Sequence, residues 1–283
     1  MPDLRPMLPE DVDAATEMIL ANDWGVRRDF LAFAASQPEC APMVIEVDGA
    51  IVGTGVGTLN GAVGWIGTIF EDPARRGQGL GRTITQSIID RLQAGGARTL
   101  VLVATADGRQ LYSKMGFEVQ TRYRILEAPG LLARPGGSAN ATTTSRVRAF
   151  RAQDLEAMIN LDRAGTGEDR GHVLRAFATP DTTKVLAGLD GTVDGFVIRA
   201  PWGGGATVAR SFEAAMAIID ERRAKAGATG RVRVGLLQEN AAGLARLEAA
   251  GFSPQWAAPR MIRGEPMRWH PEWIWGQFNH AIG

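Results

Sequence analysis

Seven residues, Arg76-Gly77-Gln78-Gly79-Leu80-Gly81-Arg82, have the types and spacing to hold an anion. Before them, Trp65-Ile66-Gly67-Thr68-Ile69-Phe70 is an apolar, strand-like run. Glu71-Asp72-Pro73 closes it, because proline has no N–H to give to a ladder. After them, Leu80, Ile84, Ile88 and Leu92 recur every four residues, the stripe of an amphipathic helix that Gly95-Gly96 ends. The spacing therefore predicts a strand-to-helix turn whose glycines leave backbone N–H groups uncovered at the positive end of a helix dipole. Arg76 adds a guanidinium fork suited to phosphate oxygens, so the stretch reads as a pyrophosphate cradle.

Other glycine patterns fit less well. A P-loop needs Lys and then Ser or Thr after its last glycine, whereas Gly81 is followed by Arg82-Thr83. A dinucleotide fingerprint needs a closing G-x-x-G and an acidic residue about 20 positions on, and neither is clear. The run Gly53-Thr54-Gly55-Val56-Gly57 imitates such a fingerprint but leads into more strand-like residues; it reads as a strand thinned so that another backbone can approach. An ordinary glycine-rich turn at 76–82 is the plain alternative to the cradle.

The surrounding elements place this turn. Residues Glu10 to Leu20 carry apolar residues on one helical face, and Trp24, Phe30, Leu31 and Phe33 suggest a second short helix or loop. Met43 to Val47 and Ile51 to Thr58 predict a hairpin about Asp48-Gly49, and a third strand, Val63 to Phe70, feeds the glycines. Thr99 to Ala104 reads as a strand covered on both faces. Asp107 is placed to cap a short helix with Leu111 and Tyr112, which Gly116 ends before Phe117.

The spacing Arg76-x-x-Gly79-x-Gly81, with its following helix and Pro73 three residues ahead, resembles the acetyl-CoA signature of the GNAT superfamily of N-acetyltransferases. Leu111-Tyr112-Ser113-Lys114-Met115-Gly116-Phe117 is similar to that family's L-Y-x-x-x-G-F segment. The resemblance implies an α/β (α+β) fold of mixed, mostly antiparallel twisted sheets flanked by helices. It implies acetyl-CoA as co-substrate, its pyrophosphate on Arg76, Gly77, Gln78, Gly79, Leu80, Gly81 and Arg82 and its pantetheine arm along Ile69 and Phe70. Tyr112 would donate a proton to the departing sulfur; the alternative is a tyrosine packed between helix and sheet, and Tyr123 lacks the matching context. Glu71 is the candidate base, Asp72 the second, with a solvated turn residue or a water chain as alternatives.

Beyond Tyr123 the pattern starts again. Leu4-Arg5 before Glu10-Asp11 is echoed by Val147-Arg148 before Gln153-Asp154, Asp48-Gly49 by Asp190-Gly191, and Gly116-Phe117 by Gly251-Phe252. These echoes predict two tandem GNAT-like domains, 1–127 and 146–283, joined by a Pro-, Gly- and Ser-rich linker at 128–145. The second copy lacks the glycines: Val208-Ala209-Arg210-Ser211 runs straight into a helix that Ser211 caps, and Leu247 stands where the first copy has Tyr112. Asn240 lies where many GNAT domains place an asparagine near CoA. The second copy is therefore expected to be GNAT-like without a cofactor site.

The chain has 283 residues, enough for two ordinary domains, with 31 basic and 31 acidic residues. That balance argues against a nucleic-acid partner. A single cysteine, Cys40, excludes an internal disulfide and a cysteine-rich metal site and points to a reducing cytoplasm. No histidine precedes His172, which counts against a Cys–His or Ser–His nucleophile, or a histidine-held metal, in the first half. No run has the length of a membrane span. The tail's Trp269, Trp273, Trp275 and Phe278, beside His270 and His280, read as core-closing, with a substrate-stacking wall as the alternative. The polar run Asp162-Arg163 and Glu168 to His172 reads as a solvated loop with local ion pairs, with a substrate role at the edge of an acceptor cleft as the alternative. The expected activity is acetyl transfer to a primary amine of a small molecule; the alternative is a non-catalytic acyl-CoA binding or sensing protein. Self-association into a homodimer is left open, with the second half as its mediator.

Overall fold

The structure is a computed structural model and describes residues 2–22, 24–131, 146–188 and 191–283. The first half runs β1 (Asp3–Pro6), α1 (Val12–Leu20), α2 (Arg28–Ser36), β2 (Cys40–Val47), β3 (Ala50–Asn60), β4 (Val63–Glu71), α3 (Leu80–Ala94), β5 (Thr99–Val103), α4 (Ala106–Lys114) and β6 (Glu118–Pro129). The second half repeats the order with β7 (Val147–Ala149), α5 (Leu155–Thr166), α6 (Gly171–Phe177), β8 (Thr183–Ala187), β9 (Val193–Ile198) and β10 (Thr207–Ala209). It continues with α7 (Phe212–Ala226), β11 (Arg231–Leu237), α8 (Ala241–Ala249) and β12 (Ser253–Gly264), then adds β13 (Ile274–Gly276). No helix among the described residues is long and apolar enough to cross a membrane.

The repeat extends to side chains. Arg5 donates to both oxygens of Asp11 at 2.6 and 2.9 Å, and Arg148 does the same to Asp154 at 2.6 and 2.7 Å. Each aspartate also accepts a backbone N–H three residues earlier, from Leu8 and from Arg151, both at 2.7 Å. The same clasp thus ties the first strand of each copy to the start of its first helix. The Asp48-Gly49 turn has positive φ at both residues, 52° and 80°, the form that matches strand twist in a two-residue hairpin. Asp190, in the corresponding place, lies outside the described residues.

Gly53, Gly55 and Gly57 share one face of β3, but what approaches them is a helix and not another backbone. A Cβ on Gly55 would lie 2.6 Å from Ile69 Cδ1 and 2.9 Å from Ile88 Cδ1, and one on Gly57 would lie 2.6 Å from Ile88 Cγ2. The glycines let the Ile84–Ile88–Leu92 stripe of α3 sink onto the sheet, where Ile84 and Ile88 are fully buried. That approach fixes the N-terminus of α3 at the end of β4.

The sheets cross between the copies. An eight-stranded sheet has the order β1-β2-β3-β4-β5-β12-β6-β11, and a five-stranded sheet has β13-β10-β9-β8-β7. Strand β12 of the second half lies between β5 and β6, pairing Arg260↔Val103 through Gly264↔Thr99 on one side. The first half's last strand, β6, continues the exchange by pairing along β11 from Arg231↔Pro129 to Leu237↔Tyr123. Strand β6 also takes residues 128 and 129 from the expected linker, of which 132–145 lie outside the described residues. Among the described residues only β4 and β5 pair in parallel.

The polar run of the second half is only partly solvated: Arg163 and Asp169 are exposed and form a local ion pair at 2.8 Å, whereas its other charged groups turn inward. Asp162, Glu168 and Arg170 are buried, and Arg170 donates to both Asp162 oxygens at 3.0 and 2.6 Å. Glu168 accepts from Asn60 Nδ2 and Trp65 Nε1 of the first copy, both at 2.8 Å, with the buried Arg260 guanidinium 3.9 Å away. Charges can stand in this interface because each carboxylate has donors there, a partnering that residue types alone do not announce.

Candidate active site

Strands β4 and β5 are joined only from Val63↔Thr99 to Trp65↔Val101. Past Trp65 they part, and Ile66 to Phe70, Val103, Thr105 and Tyr112 line one cavity of about 790 Å³. Within β4 the pairing slips between Thr54↔Phe70 and Val56↔Gly67, so that Thr68 and Ile69 together oppose Gly55. Thr68 holds φ at 55°, a left-handed conformation that is strained for a β-branched residue. Such a bulge takes backbone groups out of the ladder, beside the opening, where a ligand can bond them.

The glycine turn follows. Gly77 and Gly79 have φ of 78° and 82°, and a Cβ on either would meet no atom within 4 Å, so the concave side of the turn is open. Gly79 is the N-cap of α3, and the buried Leu80 and Gly81 anchor the first turn. Arg76 Nη2 donates to Asn22 Oδ1 at 2.7 Å, which ties the turn to the end of α1. Gln78 and Arg82 are exposed beside the turn. An exposed helix start with free N–H groups and two guanidinium side chains suits a diphosphate, and side chains at the glycines would fill its place.

Tyr112 is carried by α4, which Thr105 caps by accepting the Gly108 N–H at 3.1 Å, while Asp107 sits in the first turn. Burial, with a smaller contribution from the Glu71 charge, pushes the Tyr112 phenol up to about 12. Glu71 packs Oε1 3.2 Å from where a Cβ of Gly81 would be, and its Oε2 is buried without a hydrogen-bond partner among the described residues. Asp72 accepts the Ala74 N–H at 2.9 Å and caps the short turn at Pro73–Arg75. Ile69, Phe70 and Tyr112 thus line one opening, while Glu71 and the glycine turn follow where β4 ends and do not line it.

Family models match both halves of the chain. The acetyltransferase (GNAT) family model matches residues 8–117, and a second acetyltransferase (GNAT) domain model matches 158–276. The chain belongs to the GNAT acetyltransferase family, with two domains in tandem. It is an acyltransferase. Solved GNAT structures share the fold at low identity. A Pyrococcus horikoshii protein assigned as an acetyltransferase is 19% identical, with a TM-score of 0.81 over 100% of this chain and 96% of its own. A GCN5-related N-acetyltransferase from Sphaerobacter thermophilus is 16% identical, with a TM-score of 0.65 over 94% and 96%. A tandem GNAT protein from the clavulanic acid biosynthesis pathway is 15% identical, with a TM-score of 0.61 over 94% and 99%. No curated protein matches the sequence.

Two parts of this tandem GNAT site carry no sequence signal near the glycines. One is the Thr68 bulge. The other is the tail: His280 and Ala281 pack their backbone on Gly67, where no Cβ would fit, and His280 lines the cavity. Burial, and to a lesser extent Arg27, push the His280 imidazole down to about 4, so it is neutral at pH 7. The histidine missing from the first half thus arrives from the far end of the chain. Trp256 and Tyr123 meet it edge-on at 5.6 and 5.7 Å. Trp275 and Phe278 are buried in the core, so the tail both closes the core and supplies a wall of the opening. Cys40, whose thiol burial pushes up to about 11, carries no nucleophilic role.

Proposed function

We propose that the first copy is an acetyl-CoA-dependent N-acetyltransferase acting on a primary amine of a small molecule, and that the second copy has no CoA site. The observation that supports this most is that the bulge and Tyr112 line one parting of β4 from β5, with the glycine turn following at the end of β4. Acetyl-CoA would supply the acetyl group as an activated thioester. Gly77, Gly79 and Gly81 offer backbone N–H groups, and Arg76 a guanidinium, to the diphosphate. The bulge at Thr68–Ile69 offers main-chain groups to the pantetheine arm and an N–H to the carbonyl oxygen as charge develops there. As the amine nitrogen forms its bond to the acetyl carbon, the carbon–sulfur bond breaks and Tyr112 gives its proton to the sulfur; the nitrogen loses a proton as it becomes an amide, and that proton restores the phenol by way of solvent. A phenol held near 12 keeps that proton at neutral pH, as a donor must. Glu71, with one unpartnered carboxylate oxygen, is the candidate acceptor of the ammonium proton; an imidazole near 4 is too weak a base for it. The single cysteine supports a cytoplasmic setting.

The test is thiol release from acetyl-CoA across a panel of amines, with Tyr112→Phe as control. Release that depends on an amine and falls in the variant is expected. Normal CoA binding without thiol release from any amine would replace this reading with an acyl-CoA binding protein.

A further inference from the structure

The cavity extends beyond the parting of β4 and β5 into the second copy, and its charge is one-sided. Arg27, Arg199, Arg222, Arg231 and Arg233 line it, against one carboxylate, Glu127. Glu127 is already engaged, accepting from Arg231 at 3.2 Å and from Arg233 at 2.6 Å. The other three arginines reach no carboxylate within 4.0 Å among the described residues. They donate only to backbone oxygens: Arg27 to Val26 at 3.3 Å, Arg199 to Gly203 at 3.0 Å and Arg222 to Arg233 at 3.0 Å. Arg222 is half-buried, and its Nε is shielded from solvent with no partner.

A guanidinium is seldom withdrawn from water without an anion or a full set of acceptors. Burial, with Arg199 as a like-charged neighbour, pushes the Arg222 pKa down to about 10. An anion between them would restore both hydration-like contacts and charge balance. The phosphates of CoA are not the natural candidate, because none of the cradle residues Arg76 to Arg82 lines this cavity. We propose that the arginine-lined end, on Arg222 and Arg199, binds a carboxylate or phosphate carried by the acceptor amine. This deepens the reading of the cavity as the place where acceptor and thioester meet, and rests on it. The acceptor is then a zwitterion-like molecule with its amine directed at Thr68 and Ile69 and its anion at the second copy. The second copy's role in such an enzyme is acceptor recognition.

The experiment uses length-matched compounds on the full chain: ω-amino carboxylates, ω-aminoalkyl phosphonates and the corresponding neutral amino alcohols. Both kcat/KM for thiol release and calorimetric affinity are measured, so that the anion is tested even if no transfer occurs. At least a tenfold preference for an anionic member over its neutral match is expected, and the carboxylate and phosphonate arms tell which anion is preferred. Arg222→Met and the exposed Arg199→Ala, each checked for an unchanged melting profile, should reduce that preference at least threefold. Arg199→Ala keeps the test valid if the half-buried variant does not fold. Neutral compounds serving as well as anionic ones, no saturable binding of any probe at millimolar concentration, or full preference surviving in folded variants would each overturn the proposal. Anion-selective binding without thiol release would leave it standing while removing the transferase reading.

Discussion

In the first copy, the central strands part after Trp65 and leave a cavity beside a glycine turn; in the second, the chain's own tail occupies the corresponding place. Strand β13 pairs antiparallel with β10 and separates it from β11, where β4 and β5 pair directly. The helix that follows begins at Ser211, whose hydroxyl accepts the Ala214 N–H at 3.1 Å, so the N–H that a ligand would use is already taken. Asn240 is also committed, accepting from Gly243 at 3.0 Å and donating to the Glu272 carbonyl at 3.1 Å. Leu247, fully buried, replaces the tyrosine. One fold therefore appears twice, once with its central strands parted beside an uncapped glycine turn and once with the corresponding places filled by its own chain.

The contrast can be broken most severely by cutting the copies apart. A chain ending at residue 131 lacks β12, leaving β5 and β6 without the strand between them; loss of the cooperative unfolding transition by calorimetry or circular dichroism is expected. Next, Arg76→Ala with Gly79→Glu should weaken CoA binding about 100-fold, since two lost charge-assisted contacts are worth roughly 3 kcal/mol together. Titration of CoA against the variant checks this, and a wild-type affinity would mean that the cofactor sits elsewhere. Tyr112→Phe should lower kcat by about 100-fold while leaving CoA affinity unchanged, the signature of a lost proton donor and not a lost contact.

The smallest effect concerns what the copies share. Arg5 and Arg148 hold Asp11 and Asp154 below the usual carboxylate range. A depressed folded-state pKa contributes stability that is present above the unfolded value of about 4 and is lost as pH falls through the folded one. Asp11→Ala and Asp154→Ala should therefore each cost about 1–3 kcal/mol at pH 7, with the difference from wild type shrinking below pH 4 in denaturant melts. Markedly unequal costs would show that the two clasps are alike only in geometry.

Much of this was legible in the chain. Local physics carried the glycine turn: φ above zero, a four-residue stripe and a proline stop are properties of neighbours in sequence. The Arg5–Asp11 and Arg148–Asp154 echoes were visible for the same reason. The strand exchange was not, because β6 and β12 are strands of equal length and nothing in either states which edge it will join. Nor was the burial of Glu168, whose partners Asn60 and Trp65 lie more than a hundred positions away. His280 belongs to the same class: its place beside Gly67 depends on how the tail returns across both copies.

The interlaced sheet also sets an order on synthesis. A ribosome has delivered α3, the glycine turn and Tyr112 well before residues 253–264 emerge, so the nascent enzyme waits with two strand edges uncovered and its binding groove unfinished. Slow translation of the latter half would lengthen that exposure, which makes the period before release the time when this protein most needs a chaperone.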